Sequence, residues 1–454
     1  MNRGKYILII FLIFFILILA TCGSLIYFEL RRPPSVKTNS YLEIPLVGGI
    51  QEKVSPDFLS TLLNIKPPLS LYDIWMNFKK AKMDNRINSI VVHLGYMECD
   101  WGKINELRDC ILDFKQSGKK VYAYIDETVE FDKEYFLATA CDRIILHPMG
   151  TLIINGIGGY IPFFKDALDN LGVKAEVEHI GKYKTAYNMF TESDLTPAHR
   201  EMLESIYEDI FQSYVKTIAE ERNKTEEDIR LLIDRGYFQG EQALEAGLVD
   251  NLLYPDELQE ILKADGTKLS KISHDVYTKI KPSSVGLSGR NKIAIIYGMG
   301  PILTGEGVYQ AMGSTTVARW FQSARKDSSI AAVVFRVDSP GGSPVASDII
   351  WREIILTKKE KPVVISMSDM AGSGGYWVSM SADKIVAHPQ TLTGSIGVIF
   401  GKFSFSGFLD KIGVTGESIT FGKRADIFSP HRKLTPEESA FLNQEIQWTY
   451  DRFV

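Results

Sequence analysis

The chain repeats itself. Cys141-Asp142-Arg143-Ile144-Ile145-Leu146-His147-Pro148 returns as Ala382-Asp383-Lys384-Ile385-Val386-Ala387-His388-Pro389, an offset of 241 residues. Thr151-Leu152 matches Thr391-Leu392 at 240, Gly181-Lys182 matches Gly422-Lys423 at 241, and Leu195-Thr196-Pro197 matches Leu434-Thr435-Pro436 at 239. Tyr135 falls opposite Tyr376. A near-constant offset held over about 125 residues marks a duplicated domain, so whatever one copy folds into the other must approximate.

Each copy alternates short apolar strands with helical segments. In the second, Ile293–Tyr297, Ile330–Val337 and Pro362–Met367 are rich in Val, Ile and Phe, whereas Val345–Thr357 and Tyr376–Ala382 have helical spacing. This alternation predicts an α/β fold in which each copy is built around a largely parallel sheet. The boundaries follow from composition. The first copy covers 41–263, a Lys/Ser/Gly-rich linker covers 264–291, and the second copy covers 292–454. By the repeat Val215 corresponds to Val454, so a full second copy is expected to run roughly 35 residues beyond this sequence.

Ahead of the first copy lies a run of 22 residues without a charge, Ile7–Phe28, with Arg3 and Lys5 before it and Arg31 and Arg32 after it. As a helix it would extend roughly 33 Å, enough to cross the hydrocarbon core of a bilayer. The expected order is therefore a tip at 1–6, a transmembrane anchor at 7–28 and a polar linker at 29–40 containing Pro33-Pro34. Leu19-Ala20-Thr21-Cys22 faintly resembles a lipoprotein cleavage box, but Thr before the Cys fits poorly and apolar residues continue past it. The flanking basic residues nearly balance, so they hardly orient the anchor.

The formal charge of −5 with no dominant basic block gives no reason to expect nucleic acid. Cys22, Cys99, Cys110 and Cys141 form no CxxC pair and have no His at zinc-finger spacing, so no metal site is expected. With Cys22 in the apolar run, the other three cannot all pair, and free buried thiols are the reading.

Duplication separates fold from chemistry. Residues kept in both copies, such as His147 and His388 or Tyr135 and Tyr376, are read as structural. Residues in one copy only are candidates for chemistry. The second copy alone has Asp338-Ser339-Pro340-Gly341-Gly342-Ser343 after a buried strand, where the first has Cys99-Asp100-Trp101. Such glycines can aim backbone N–H groups at an oxyanion, or can simply make a tight turn. The second copy alone also has Ala371-Gly372-Ser373-Gly374-Gly375-Tyr376-Trp377, with Asp132 opposite Ser373. Ser373 among small residues at a helix start could be a nucleophile or a helix cap, and Ala371 breaks the G-x-S-x-G pattern. A serine nucleophile needs a base. Lys182 is matched by Lys423, but Lys184 faces Ala425 and has no counterpart. A lysine can act as base only where burial lowers its pKa from ~10.4 toward neutrality, as an interface between the copies would do.

These motifs resemble the long form of signal peptide peptidase A, also called protease IV, of peptidase family S49. Leu392-Thr393-Gly394-Ser395-Ile396-Gly397, Tyr183-Lys184-Thr185-Ala186, Arg235-Gly236-Tyr237-Phe238-Gln239-Gly240 and Ala246-Gly247-Leu248-Val249-Asp250 extend the resemblance over nearly all of the chain beyond the anchor. It implies a ClpP/crotonase-like fold in both copies and a Ser–Lys dyad assembled between them. Ser373 would be the nucleophile, Lys184 the general base, and Ser395, opposite Asn155 or Gly156, would help hold the lysine. Gly341 and Gly342 would form the oxyanion region. The implied substrates are remnant signal peptides and other unfolded membrane-proximal polypeptides, cut on the extracytoplasmic (periplasmic) side of the cell membrane by a single-pass protein. The family's tetrameric bowl implies a homo-oligomer, and no metal or cofactor is implied. Two other classes share some of these features: a non-catalytic membrane scaffold of the same fold, and a crotonase-type acyl-CoA enzyme with Gly-rich oxyanion loops.

Overall fold

The computed structural model describes residues 34–54, 67–126, 129–130, 132–264, 266–308 and 310–454, and Phe14 alone in the amino-terminal stretch. The expected anchor at 7–28 otherwise lies outside the described residues. Among the described residues, no helix is long and apolar enough to cross a membrane.

The first copy contributes β1 (Ser40–Gln51), α1 (Leu71–Met83), β2 (Ile87–Glu98), α2 (Trp101–Lys115), β3 (Lys120–Ile125), α3 (Asp132–Ala138), β4 (Arg143–Leu146), β5 (Thr151–Ile153), β6 (Lys174–Ile180), α4 (Pro197–Arg222), β7 (Asn251–Leu252) and β8 (Ser270–Ser273). The second contributes β9 (Lys292–Met299), α5 (Ser314–Lys326), β10 (Ile330–Ser339), α6 (Pro344–Lys358), β11 (Val363–Gly372), α7 (Gly374–Ser379), β12 (Lys384–Val386), β13 (Leu392–Gly394), β14 (Val398–Ser404) and α8 (Pro436–Phe453). The first sheet runs β7-β4-β3-β2-β1-β8 and the second β9-β10-β11-β12, all with parallel neighbours. The order β4-β3-β2-β1 thus recurs as β12-β11-β10-β9, as a duplication requires.

Central strands of parallel sheets are covered on both faces and need near-continuous apolar runs. Ile90, Val91, Val92 and Leu94 of β2, and Val333, Phe335 and Val337 of β10, are buried accordingly. The matched Leu-Thr-Pro signals start α4 and α8. Thr196 and Thr435 accept the N–H groups of His199 and Glu438, and the following Pro occupies a first-turn position that has no intrahelical N–H bond to lose. Those helices return to equivalent places: Tyr214 lies beside Phe136 at 6.2 Å, and Phe453 stacks on Trp377 at 4.8 Å.

One boundary needs correction. The stretch 264–291 is only partly a linker, because β8 pairs in parallel with β1 at the edge of the first sheet. Ile272, Tyr277 and Ile280 are buried in the first copy's core, so hydrophobic burial overrode the polar composition that suggested a linker.

Among the described residues several contacts join the copies, and two of them bear on the site. β6 and β14 form an antiparallel ribbon running from Lys174–Ser404 to Ile180–Val398. A seam of largely buried charge also joins Glu52, just after β1, and α2 to β10 and β11: Arg336 meets Glu52 at 2.8 Å and Glu106 at 2.5 Å, and Lys103 meets Asp338 at 2.6 Å and Asp369 at 2.7 Å.

Candidate active site

Ser373 occupies the single residue between the end of β11 and the start of α7. Its backbone lies at φ 53°, ψ −116°, a left-handed conformation that a non-glycine residue adopts only when its surroundings enforce it. Here β13 does so. It pairs in parallel with the last residues of β11, Gly372 opposite Gly394, and the Ser373 N–H donates to Gly394 O at 2.8 Å. A sharp strand-to-helix turn of this kind holds a side chain clear of its own backbone, so the geometry of a nucleophile turn arises although the glycine pattern at 371 is broken. The cap alternative fails, since the Ser373 side chain makes no capping hydrogen bond to α7.

The glycine pair lies against this turn. A Cβ on Gly341 would stand 2.6 Å from Gly374 N and 2.8 Å from Ser373 Cβ, and one on Gly374 would stand 3.2 Å from Gly342 N. Gly341 and Gly342 have φ of 100° and 154°. The two glycines have different roles. The Gly341 N–H already donates to Ser339 Oγ at 3.1 Å. Among the described residues, the N–H groups of Gly342 and Gly374 make no hydrogen bond. Gly374, at the first position of α7, leaves its N–H over as every helix start does. Two unengaged donors thus sit at this turn, the Gly374 N–H directly after Ser373 and the Gly342 N–H 3.2 Å from where a Cβ on Gly374 would stand.

Lys184 arrives by way of the ribbon. β6 ends at Ile180 and β14 begins at Val398, so their pairing places the turn after one strand against the turn before the other. The lysine stem crosses two glycines: a Cβ on Gly397 would lie 3.2 Å from Lys184 Cδ, and one on Gly181 would lie 3.3 Å from Lys184 Cβ. Its Nζ donates to Ser395 O at 2.5 Å and Ser395 Oγ at 3.0 Å. Ser395 directly follows Gly394, the partner of the Ser373 N–H, and a Cβ on Gly372 would be 3.7 Å from Ser395 Cβ. Lys184, Ser395, Ser373 and the glycine pair therefore gather at one place, although the hydrogen bonds of Lys184 end on Ser395 and none reaches Ser373.

Electrostatics separates Lys184 from other lysines. It is 7% exposed, and burial alone lowers its pKa from 10.5 to about 8. Lys182, two residues away, is exposed, bonds to Tyr183 and Glu201, and is shifted upward. Lys103 is equally buried, but there the loss of solvent is outweighed by Asp338, Asp369 and Glu52, which keep it charged. Lys80 is also buried and lowered to about 8, but its ammonium is given to the carbonyls of Tyr277, Thr278 and Ile280 within the first copy. Lys184 joins such burial, with no carboxylate to offset it, to a place beside the Ser373 turn, the condition there for an amine that is partly neutral near pH 8.

The matched histidines serve turns. His147 accepts the Met149 N–H, and the His388 N–H donates to Thr391 Oγ1. Cys99, Cys110 and Cys141 are buried free thiols, with burial pushing Cys99 and Cys141 up to about 12, so they remain unreactive thiols. Sequence reasoning missed Lys103 and Asp369; the comparison of copies singles out Lys103, which faces Pro344 across the repeat, but not the carboxylates it meets.

A model described as Peptidase family S49 matches residues 113–269 and 355–454, more than half of the chain. The chloroplastic serine protease SPPA of Arabidopsis thaliana is 34% identical over 429 residues, covering 92% of this chain and 62% of that protein. Protease 4 of Haemophilus influenzae is 33% identical over 405 residues, covering 85% and 65%. Protease 4 of Salmonella typhi is 32% identical over 401 residues, covering 85% and 64%. The chain thus spans less than two thirds of the length of these curated relatives.

Proposed function

The chain belongs to peptidase family S49, and from that premise we propose that it is a serine endopeptidase with Ser373 as nucleophile and Lys184 as general base. The observation that carries this reading is the Lys184 amine, buried without a carboxylate partner and held by Ser395 beside the turn that bears Ser373. In its neutral form Lys184 takes the proton of the Ser373 hydroxyl as Oγ attacks a peptide carbonyl. The N–H groups of Gly342 and Gly374 then face the oxyanion, while Gly341 gives the chain room to approach and braces the loop through Ser339. As the tetrahedral intermediate collapses, the Lys184 ammonium returns its proton to the leaving amine. A water attacks the acyl-enzyme by the same route in reverse.

The same proposal includes ClpP/crotonase-like folding of both copies, supported by the repeated parallel sheets. It also includes remnant signal peptides and other unfolded membrane-proximal polypeptides as substrates, and attachment to the cell membrane through 7–28 with the catalytic part outside the cytoplasm. The apolar run in the sequence supports the attachment. Self-assembly, with a tetramer as the reading, has its own support. Residues 415–421 correspond by the repeat to β6, yet they are exposed, with Ile419 at 87% and Phe421 at 93%. The first-copy counterpart of β14, residues 157–163, carries Tyr160 at 90% exposure. A second copy could pair these segments as β6 and β14 pair here.

The test is labelling with a fluorophosphonate alongside cleavage of an apolar peptide. Wild type should be modified at Ser373, and Ser373→Ala and Lys184→Ala should lose both signals. Full cleavage by Lys184→Ala would remove the lysine from the mechanism, and an unlabelled wild type would favour the non-catalytic scaffold.

A further inference from the structure

The buried charge between the copies is not used by the chemistry above, and its position is specific. Lys103, the third residue of α2, has a side chain only 7% exposed. Its Nζ lies 2.6 Å from Asp338 Oδ2 and 2.7 Å from Asp369 Oδ2. Asp338 is followed by Ser339-Pro340-Gly341-Gly342, and Asp369 by Met370-Ala371-Gly372-Ser373. The two carboxylates therefore mark the entrances to the oxyanion loop and to the nucleophile turn.

Between these entrances the sheet ladder fails. β10 and β11 pair regularly up to Val337–Met367 and then resume at Ser339–Ala371, so two steps on one strand oppose four on the other. Bulges of this sort re-aim side chains but leave the relation between strands unfixed by ladder hydrogen bonds. Other bonds take over there. Asp338 Oδ1 accepts the Met370 N–H at 3.2 Å, and Asp369 accepts the N–H groups of Lys103 at 2.7 Å and Asp100 at 3.1 Å. Asp369 thereby caps α2, whose own N-cap residue Asp100 makes no side-chain cap bond. A cleft of about 680 Å³, lined by Lys103, Asp338, Ser339, Pro340, Asp369 and Met370 among others, gives the segments room to separate. Without the ammonium, two buried carboxylates would face each other across that space and repel.

We infer that Lys103 is a positioning residue: by binding Asp338 and Asp369 to one ammonium, it holds the oxyanion loop against the turn that bears Ser373. The first copy then supplies a clamp for the second copy's nucleophile as well as a base. The catalytic part of this inference rests on the proposed peptidase reading, whereas the clamp itself is mechanical.

The experiment uses the whole chain with Lys103→Met, measuring amide hydrogen exchange and peptide cleavage together. Exchange should accelerate at least ~10-fold in 339–343 and 370–375 and stay unchanged in the ribbon 174–180 and 398–404. Turnover should fall ~10- to 100-fold with KM within ~3-fold of the parent, the pattern of misplaced rather than missing groups. Asp338→Asn keeps the side-chain shape but weakens one arm of the clamp. It carries the same test, with a smaller effect, if Lys103→Met does not accumulate as folded protein. Unchanged exchange in both segments overturns the inference whatever the activity, and so does turnover equal to that of an active parent. A parent without Ser373-dependent cleavage would be a failure of the peptidase reading, and the exchange result alone would then judge the clamp.

Discussion

Replacing Lys184 with methionine should make the protein more stable at pH 7 while removing the proposed peptidase activity. Burial takes the Lys184 amine from 10.5 to about 8, with no carboxylate to offset the loss of solvent. At about 1.36 kcal/mol per pH unit, keeping that ammonium in the fold at neutral pH costs about 3 kcal/mol. Methionine matches the length of the stem and carries no charge. It forfeits the bonds to Ser395, a loss of about 1 kcal/mol. The variant should therefore gain about 2 kcal/mol at pH 7. Sign and pH window follow from proton binding. Folded protein releases the proton near pH 8 and unfolded protein near 10.5, so between those values the unfolded chain holds more protons and wild-type stability rises with pH. The variant's advantage should shrink toward zero by about pH 10. Urea unfolding followed by tryptophan fluorescence at pH 7 and pH 10 measures both values. A variant less stable at pH 7, or equally favoured at both pH values, would refute the desolvation argument and with it the case for Lys184 as base.

Three further outcomes are expected. With the Lys184 amine titrating at about 8, kcat/KM should rise ~10-fold from pH 7 to pH 9, whereas an ordinary lysine would give ~100-fold, and a stopped-assay pH series separates the two. Ser373→Gly should be inert yet about 1 kcal/mol more stable in thermal unfolding, because glycine adopts φ 53° without the strain a serine bears; a loss of stability would contradict the strained-turn reading. Gly341→Ala would drive a Cβ to 2.6 Å from Gly374 N. Fluorophosphonate labelling of Ser373 should then slow ~100-fold or more, and near-normal labelling would show that the loop yields more easily than its packing suggests.

Part of the site is legible in the sequence. Ser373 and Lys184 stood out because each occurs in one copy and is lost from the other, and the glycines of 341–342 stood out by the same test. The split between Gly341 and Gly342 could not be read, since it depends on Ser339 Oγ having taken one of two adjacent N–H groups. Nor could the clamp at Lys103, because its carboxylates lie 235 and 266 residues away and converge only where a ladder breaks. The strand and helix at 270–278 were hidden by a polar composition that the buried Ile272 and Tyr277 overrule.

Repetition and apolar alternation are local or periodic properties, so the chain by itself determined that there are two copies, that each is a parallel α/β unit, and which residues are unique to one of them. The state of an amine is not local. Whether Lys184 is an ordinary surface cation or a base depends on the solvent and charges around it, and those come from Ser395, Gly397 and the ribbon between the copies. Only packing one half of the chain against the other could decide that, because solvation is a property of the surroundings rather than of the side chain.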